Sequence, residues 1–94
     1  MPSSKEYLDY VLELTRKLDN ITYKKMMGEY ILYIDGKIFG GIYDDRFLIK
    51  KTNSIKEYGF NEEIPYPSAK PMYLLDIESA DEIKEIIEKQ IKEL

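Results

Sequence analysis

The sequence predicts an α+β fold: a two-layer antiparallel sheet packed by N- and C-terminal helices. Three observations lead there. Apolar residues recur at helical spacing behind a capping signal at both ends of the chain. The middle is a run of short segments rich in Tyr, Ile and Phe, punctuated by turn residues. Finally, 94 residues with 44% apolar and 34% charged side chains can build one hydrophobic core without disulfides. The expected order is α-β-β-β-β-short α-β-α, a single domain over residues 1–94.

Ser3-x-x-Glu6 has the form of a capping box, and Leu8, Val11, Leu12, Thr15 and Leu18 follow at helical spacing, so residues 4–18 read as an amphipathic helix ended by Asp19-Asn20. Four strands are expected next, Ile21 to Met27, Glu29 to Ile34, Lys37 to Tyr43 and Arg46 to Lys50. Asp35-Gly36 suits a type I′ turn, which needs positive φ at both central positions. A tight turn there would set Tyr33 opposite Ile38, Leu32 opposite Phe39, Ile31 opposite Gly40 and Tyr30 opposite Gly41. That register places Ile31, Tyr33, Ile38, Ile42, Phe47 and Ile49 on a face meeting the helices. It leaves Tyr30, Leu32, Ile34, Phe39, Tyr43 and Leu48 on the other, bordered by Lys37, Arg46 and Lys50.

Thr52 to Tyr58 reads as one short helix, capped through Ser54-x-x-Glu57 and stopped by Gly59. Pro65, Pro67 and Pro71 favour a loop over residues 61–71, followed by a strand from Met72 to Ile77. Ser79-x-x-Glu82 opens the last helix, with Ile83, Ile86, Ile87, Ile91 and Leu94 on one face and Glu85/Lys89 and Glu88/Lys92 pairs on the other.

Chemistry-bearing patterns are scarce. Without cysteine or histidine there is no thiolate, no Cys-ligated zinc and no imidazole base. Three of the five serines suit helix caps, and the glycines form no phosphate-binding loop. Asp44-Asp45 and Glu62-Glu63 read as solvated turn carboxylates rather than a metal site. The expectation is therefore no enzyme, no cofactor and no metal. A net charge of −4 has the wrong sign for bulk attraction to phosphates, so nucleic acid is not expected as a partner of the chain on its own. No signal peptide or membrane-length apolar run is evident, and a cytoplasmic location follows as an expectation.

Two surfaces remain as candidates. The apolar second face suggests contact with a protein partner or a C₂ homodimer through Tyr30, Leu32, Phe39, Tyr43 and Leu48. Tyr66, in Ile64-Pro65-Tyr66-Pro67, is hard to bury and is a further contact candidate. Lys24, Arg46, Lys50 and Lys70 are candidates for holding an anion. Alternative readings are a nucleic-acid-binding domain that stacks bases on the sheet, with Lys37, Arg46 and Lys50 along the phosphates, and a small-molecule sensor using Tyr66, Tyr73 and Lys70.

The segment Tyr23-Lys24-Lys25-Met26-Met27-Gly28-Glu29-Tyr30, followed by Asp35-Gly36-Lys37-Ile38-Phe39-Gly40-Gly41-Ile42-Tyr43-Asp44-Asp45-Arg46-Phe47-Leu48-Ile49-Lys50, resembles the N-terminal domain of the TfoX competence-regulator family. Pro67-Ser68-Ala69-Lys70-Pro71-Met72-Tyr73 and the acidic closing helix resemble it too. The resemblance implies a two-layer fold like that of bacterial secretion chaperones and a role in regulating DNA-uptake competence or transcription, and it brings no catalytic residues. The family often reads Met-Phe-Gly-Gly where this chain has Met26-Met27-Gly28-Glu29. Longer members carry a second helical domain, so the expectation here is a stand-alone form.

Overall fold

A computed structural model describes residues 3–94. Helix α1 spans Lys5–Leu14, and its N-cap is Ser4, whose hydroxyl accepts the Tyr7 N–H at 3.1 Å. The cap thus falls one residue after the expected Ser3, because Ser3 is engaged elsewhere: its hydroxyl donates to Glu29 Oε1 at 2.7 Å. α1 is also shorter than residues 4–18, since the Thr15 hydroxyl turns back onto the Val11 and Leu12 carbonyls and residues 15–17 form turns.

The strands are β1 (Ile21–Met26), β2 (Glu29–Ile34), β3 (Lys37–Ile42), β4 (Phe47–Ile49), β5 (Glu62–Glu63) and β6 (Met72–Leu74). They form one antiparallel sheet in the order β1-β2-β3-β4-β6-β5. Three tight turns join the first four. Each has positive φ at both central residues: Met27 and Gly28 (53° and 83°), Asp35 and Gly36 (50° and 79°), Asp44 and Asp45 (53° and 54°). This is the backbone that two-residue hairpins need to follow the twist of their strands. β5 lies within the stretch expected to be loop; it is two residues long and pairs with β6 through Glu62–Tyr73 and Glu63–Met72.

The expected register holds from the Asp35-Gly36 turn to the Tyr33–Ile38 pair and then slips. A bulge makes Leu32 face Gly40, Ile31 face Gly41 and Tyr30 face Ile42, so Phe39 is the extra residue. Because side chains alternate sides, the slip brings Phe39 and Ile42 onto one face. That face is the helix-covered one. Tyr30, Leu32, Ile34, Phe39, Ile42, Phe47 and Ile49 are all buried in one cluster with Leu8 and Val11 of α1 and with Ile83, Ile86 and Ile87 of helix α2 (Ala80–Ile91). The assignment of faces is therefore corrected. Ile31 and Tyr33 are only half-buried and Ile38 is 40% exposed, whereas Tyr30, Leu32 and Phe39, expected at a partner or dimer surface, are core residues.

Two details hold this core together. α2 is capped by Ser79, which accepts the Glu82 N–H at 3.3 Å, as its capping box predicts. Near its other end the fully buried Gln90 donates from Nε2 to the carbonyls of Phe39 and Lys50, at 2.8 and 3.0 Å, tying the bulge to the helix layer. The short helix, Asn53–Tyr58, is 3₁₀. Its N-cap Thr52 makes no side-chain capping bond, and the Ser54 hydroxyl donates instead to the Lys89 carbonyl at 2.8 Å; Gly59 (φ 68°) closes it as expected.

Candidate functional site

The face of the sheet away from the helices is covered unevenly. Across β4 and β6 the chain returns as the proline-rich segment 64–71, and Arg46 holds that segment in place. Its Nη1 donates to Glu63 at 2.6 Å, its Nη2 to the Ile64 and Pro65 carbonyls at 3.4 Å each, and its Nε to the Tyr43 carbonyl at 3.0 Å. Arg46 is thus an internal strut, and the expectation that it waits for an external anion is corrected by these four acceptors. Pro65 is buried, and Leu48, beside Gly41 and Leu74 in the register, is fully buried although it lies outside the helix-packed cluster.

Tyr66 remains 58% exposed, with its ring centroid 6.1 Å from that of Tyr43. Tyr43 lies down across Gly41: a Cβ at position 41 would stand 2.6 Å from the Tyr43 ring, so only glycine admits this packing. Burial, then the neighbouring Tyr66 and Glu29, push the Tyr43 hydroxyl above the usual tyrosine pKa.

A groove opens on each side of the Tyr43–Tyr66 pair. The first, about 550 Å³, is lined by Met26, Met27, Glu29 and Ile31 together with both tyrosines. The second, about 620 Å³, runs between Ile38 and Gly40 on one side and Pro65, Ala69, Pro71 and Met72 on the other, and carries Lys50, Lys51 and Lys70. Met27 stands at the lip of the first groove, 97% exposed, in a left-handed conformation that long side chains seldom adopt. Met26 beside it is 47% exposed.

The turns around this surface are braced by carboxylates. Glu29 Oε1 accepts the Ser3 N–H at 2.9 Å as well as its hydroxyl, while Oε2 accepts the Asp44 N–H at 3.0 Å. Asp45 Oδ1 accepts the Ser4 N–H at 2.8 Å. The Met27-Gly28 and Asp44-Asp45 turns are thereby clamped to the start of α1, so Asp45 is more than the solvated turn residue the sequence suggested. Glu29, standing where the resembling family often has glycine, is the centre of the clamp.

Of the residues singled out from sequence, the fold brings Tyr43, Tyr66, Lys50 and Lys70 around one pair of grooves. Lys24 is exposed on β1 and lines neither groove. Tyr73 does not join Tyr66 and Lys70: it is buried in the helix-side cluster, its ring 5.8 Å from that of Phe60. Sequence reasoning missed Met26, Met27, Ile31 and Ile38. The available signal was Met27 in a turn, where a polar residue is usual. Among the described residues no group of three or more acidic side chains is placed to hold a metal ion, and no helix is long and apolar enough to cross a membrane.

Residues 13–72 match the family of the TfoX N-terminal domain, a span that includes both grooves, Arg46 and the proline-rich segment. The chain belongs to that family. A relative from Spirochaeta aurantia, described as an uncharacterized 12.7 kDa protein in trpE 5′region, is 32% identical over 91 residues, covering 93% of this chain and 79% of the relative. In this TfoX N-terminal domain the matched span thus carries the whole candidate surface, while α2, which closes the core, lies beyond it.

Proposed function

We propose that this TfoX N-terminal domain is a non-enzymatic regulatory module that acts by protein contact through the open half of its outer sheet face. The observation that carries the reading is Met27, fully presented to solvent in a strained turn, with Met26, Ile31 and Tyr66 beside it around one apolar groove. Exposed methionines adapt to varied partner shapes, and an exposed aromatic supplies contact area at low entropy cost. Regulation, the role the family resemblance implies, would then be exerted by contact and not by chemistry, in keeping with a chain that has neither histidine nor cysteine.

Nucleic acid is a poorer occupant of this face. Tyr30 and Phe39, rings of the sheet face expected to be open, lie in the core, and Arg46 is spent on Glu63 and the proline-rich segment. A homodimer through the expected patch loses Tyr30, Leu32 and Phe39 to the core in the same way. The test is a photo-crosslinking side chain placed at position 27 in cells, with position 56, on the short helix, as control. A distinct protein adduct from position 27 is the expected result; the same products from both positions, or none from position 27, would refute the reading.

A further inference from the structure

The two grooves are one surface, because Tyr43 and Tyr66 line both, yet their ends differ in charge. The Met27 end has one carboxylate, Glu29, and it already accepts from Ser3 and Asp44. The other end has three lysines and no carboxylate in its lining, in a chain whose net charge is −4. Lys51 is paired with Glu62 at 2.9 Å, but among the described residues no ion pair engages Lys50 or Lys70. Placing like charges along an apolar trough costs stability, and such an arrangement selects a partner of the opposite sign.

We propose that the partner contributes an extended segment with apolar side chains at one end and carboxylates at the other. The segment lies across the Tyr43–Tyr66 pair, with its apolar end on Met26, Met27 and Ile31 and its carboxylates on Lys50 and Lys70. The proposal rests on the protein-contact reading above and names the chemistry of that partner. A second copy of this chain does not fit: a face-to-face pair would set the lysines against lysines or against the apolar methionine end, and among the described residues lining the two grooves the one carboxylate, Glu29, is already occupied. A polynucleotide offers phosphates to the lysines but no flexible apolar side chains to the methionine end.

The probes are a synthetic peptide of leucines followed by glutamates and its counterpart with lysine in place of each glutamate, titrated into the isotope-labelled chain. Amide shifts at Met27, Ile31, Lys50 and Lys70 are expected with the glutamate peptide and not with the lysine one. The double variant Lys50→Glu/Lys70→Glu should weaken the glutamate peptide by about tenfold or more and make the lysine peptide the better ligand. Both lysine side chains are exposed, and the bonds that Lys50 makes to Phe39 and Gln90 are through its backbone, so the variant keeps the fold. Equal response to both peptides, no response to either, or an unchanged preference in the variant would overturn the proposal. Position 27 cross-linking separates the two levels. Adducts that survive Lys50→Glu/Lys70→Glu sink the acidic segment and leave the contact surface standing, whereas their absence from the unmodified chain sinks the contact surface itself.

Discussion

One sheet presents two faces of nearly equal apolar content and very different fates. On the inner face, Leu32, Phe39, Ile42 and Ile49 are wholly removed from water by α1 and α2. On the outer face, Ile31, Tyr33 and Ile38 are left half-covered, and only the β4–β6 side is sheltered, near a loop that a single arginine holds down. Helices cover by packing a whole stripe of side chains, whereas a loop covers by a few polar ties. The inner face therefore carries the stability and the outer face is free to carry contacts.

The sharpest test of that division is a pair of neighbours in β3. Phe39→Ala empties a fully buried site and should cost about 3–5 kcal/mol in urea denaturation, the range for removing a core aromatic ring. Ile38→Ala, one residue away and 40% exposed, should cost less than about 1 kcal/mol. Equal losses would show that both faces are core and would break the comparison.

Gln90 comes next, because it explains why the faces are assigned as they are. Its Nε2 supplies the Lys50 carbonyl at 3.0 Å and the Phe39 carbonyl at 2.8 Å, while its own Oε1 is buried with no partner among the described residues. The Phe39 carbonyl also accepts the Lys50 N–H, so Gln90→Leu strands chiefly the Lys50 carbonyl. A cost of about 1–3 kcal/mol is expected, reduced by the loss of the unpartnered oxygen. Hydrogen exchange at the bulge should quicken with it.

This is also where the sequence ceased to be legible. Turns are local chemistry: Asp35-Gly36, the Gly59 stop and the Ser79 cap could all be read from a few residues and are found where they were read. Faces are not local. β2 is Glu29-Tyr30-Ile31-Leu32-Tyr33-Ile34, apolar on both sides, so alternation cannot choose between them. The choice is made by the extra residue Phe39, held by a glutamine far along the chain. The candidate surface was legible in the same uneven way. Tyr66 and Lys70 stood out because prolines keep their segment extended, but Arg46 read as a free cation until the fold brought Glu63 to it.

Arg46→Ala should act on the outer face alone. It removes the tie to Glu63 and both carbonyl bonds to the proline-rich segment, so exchange of amides near Tyr66 and Ala69 should rise. Global stability should fall by only about 1 kcal/mol, the order expected for a half-exposed charged contact. A loss as large as that of Phe39→Ala would place the segment in the core rather than over it.

The smallest expected effect is a pH dependence that marks the boundary between the faces. Burial, followed by Tyr66 and Glu29, raises the Tyr43 hydroxyl above its unfolded value near pH 10, so the folded state holds that proton more tightly than the unfolded chain. The contribution is fully present below about pH 10 and is lost as pH rises through the folded pKa, because a phenolate beneath the Tyr66 ring must then be desolvated. Absorbance titration of the phenolates should show a late component to which both Tyr43 and the part-buried Tyr7 contribute, and the Tyr43 share should disappear in Tyr43→Phe. Releasing the proline-rich segment by Arg46→Ala should move that titration back toward the ordinary value, since the segment carries Tyr66 onto the Tyr43 ring. An unchanged titration in Arg46→Ala would mean that the packing on Gly41, and not the loop, keeps Tyr43 from water, and the cover of the outer face would belong to the sheet itself.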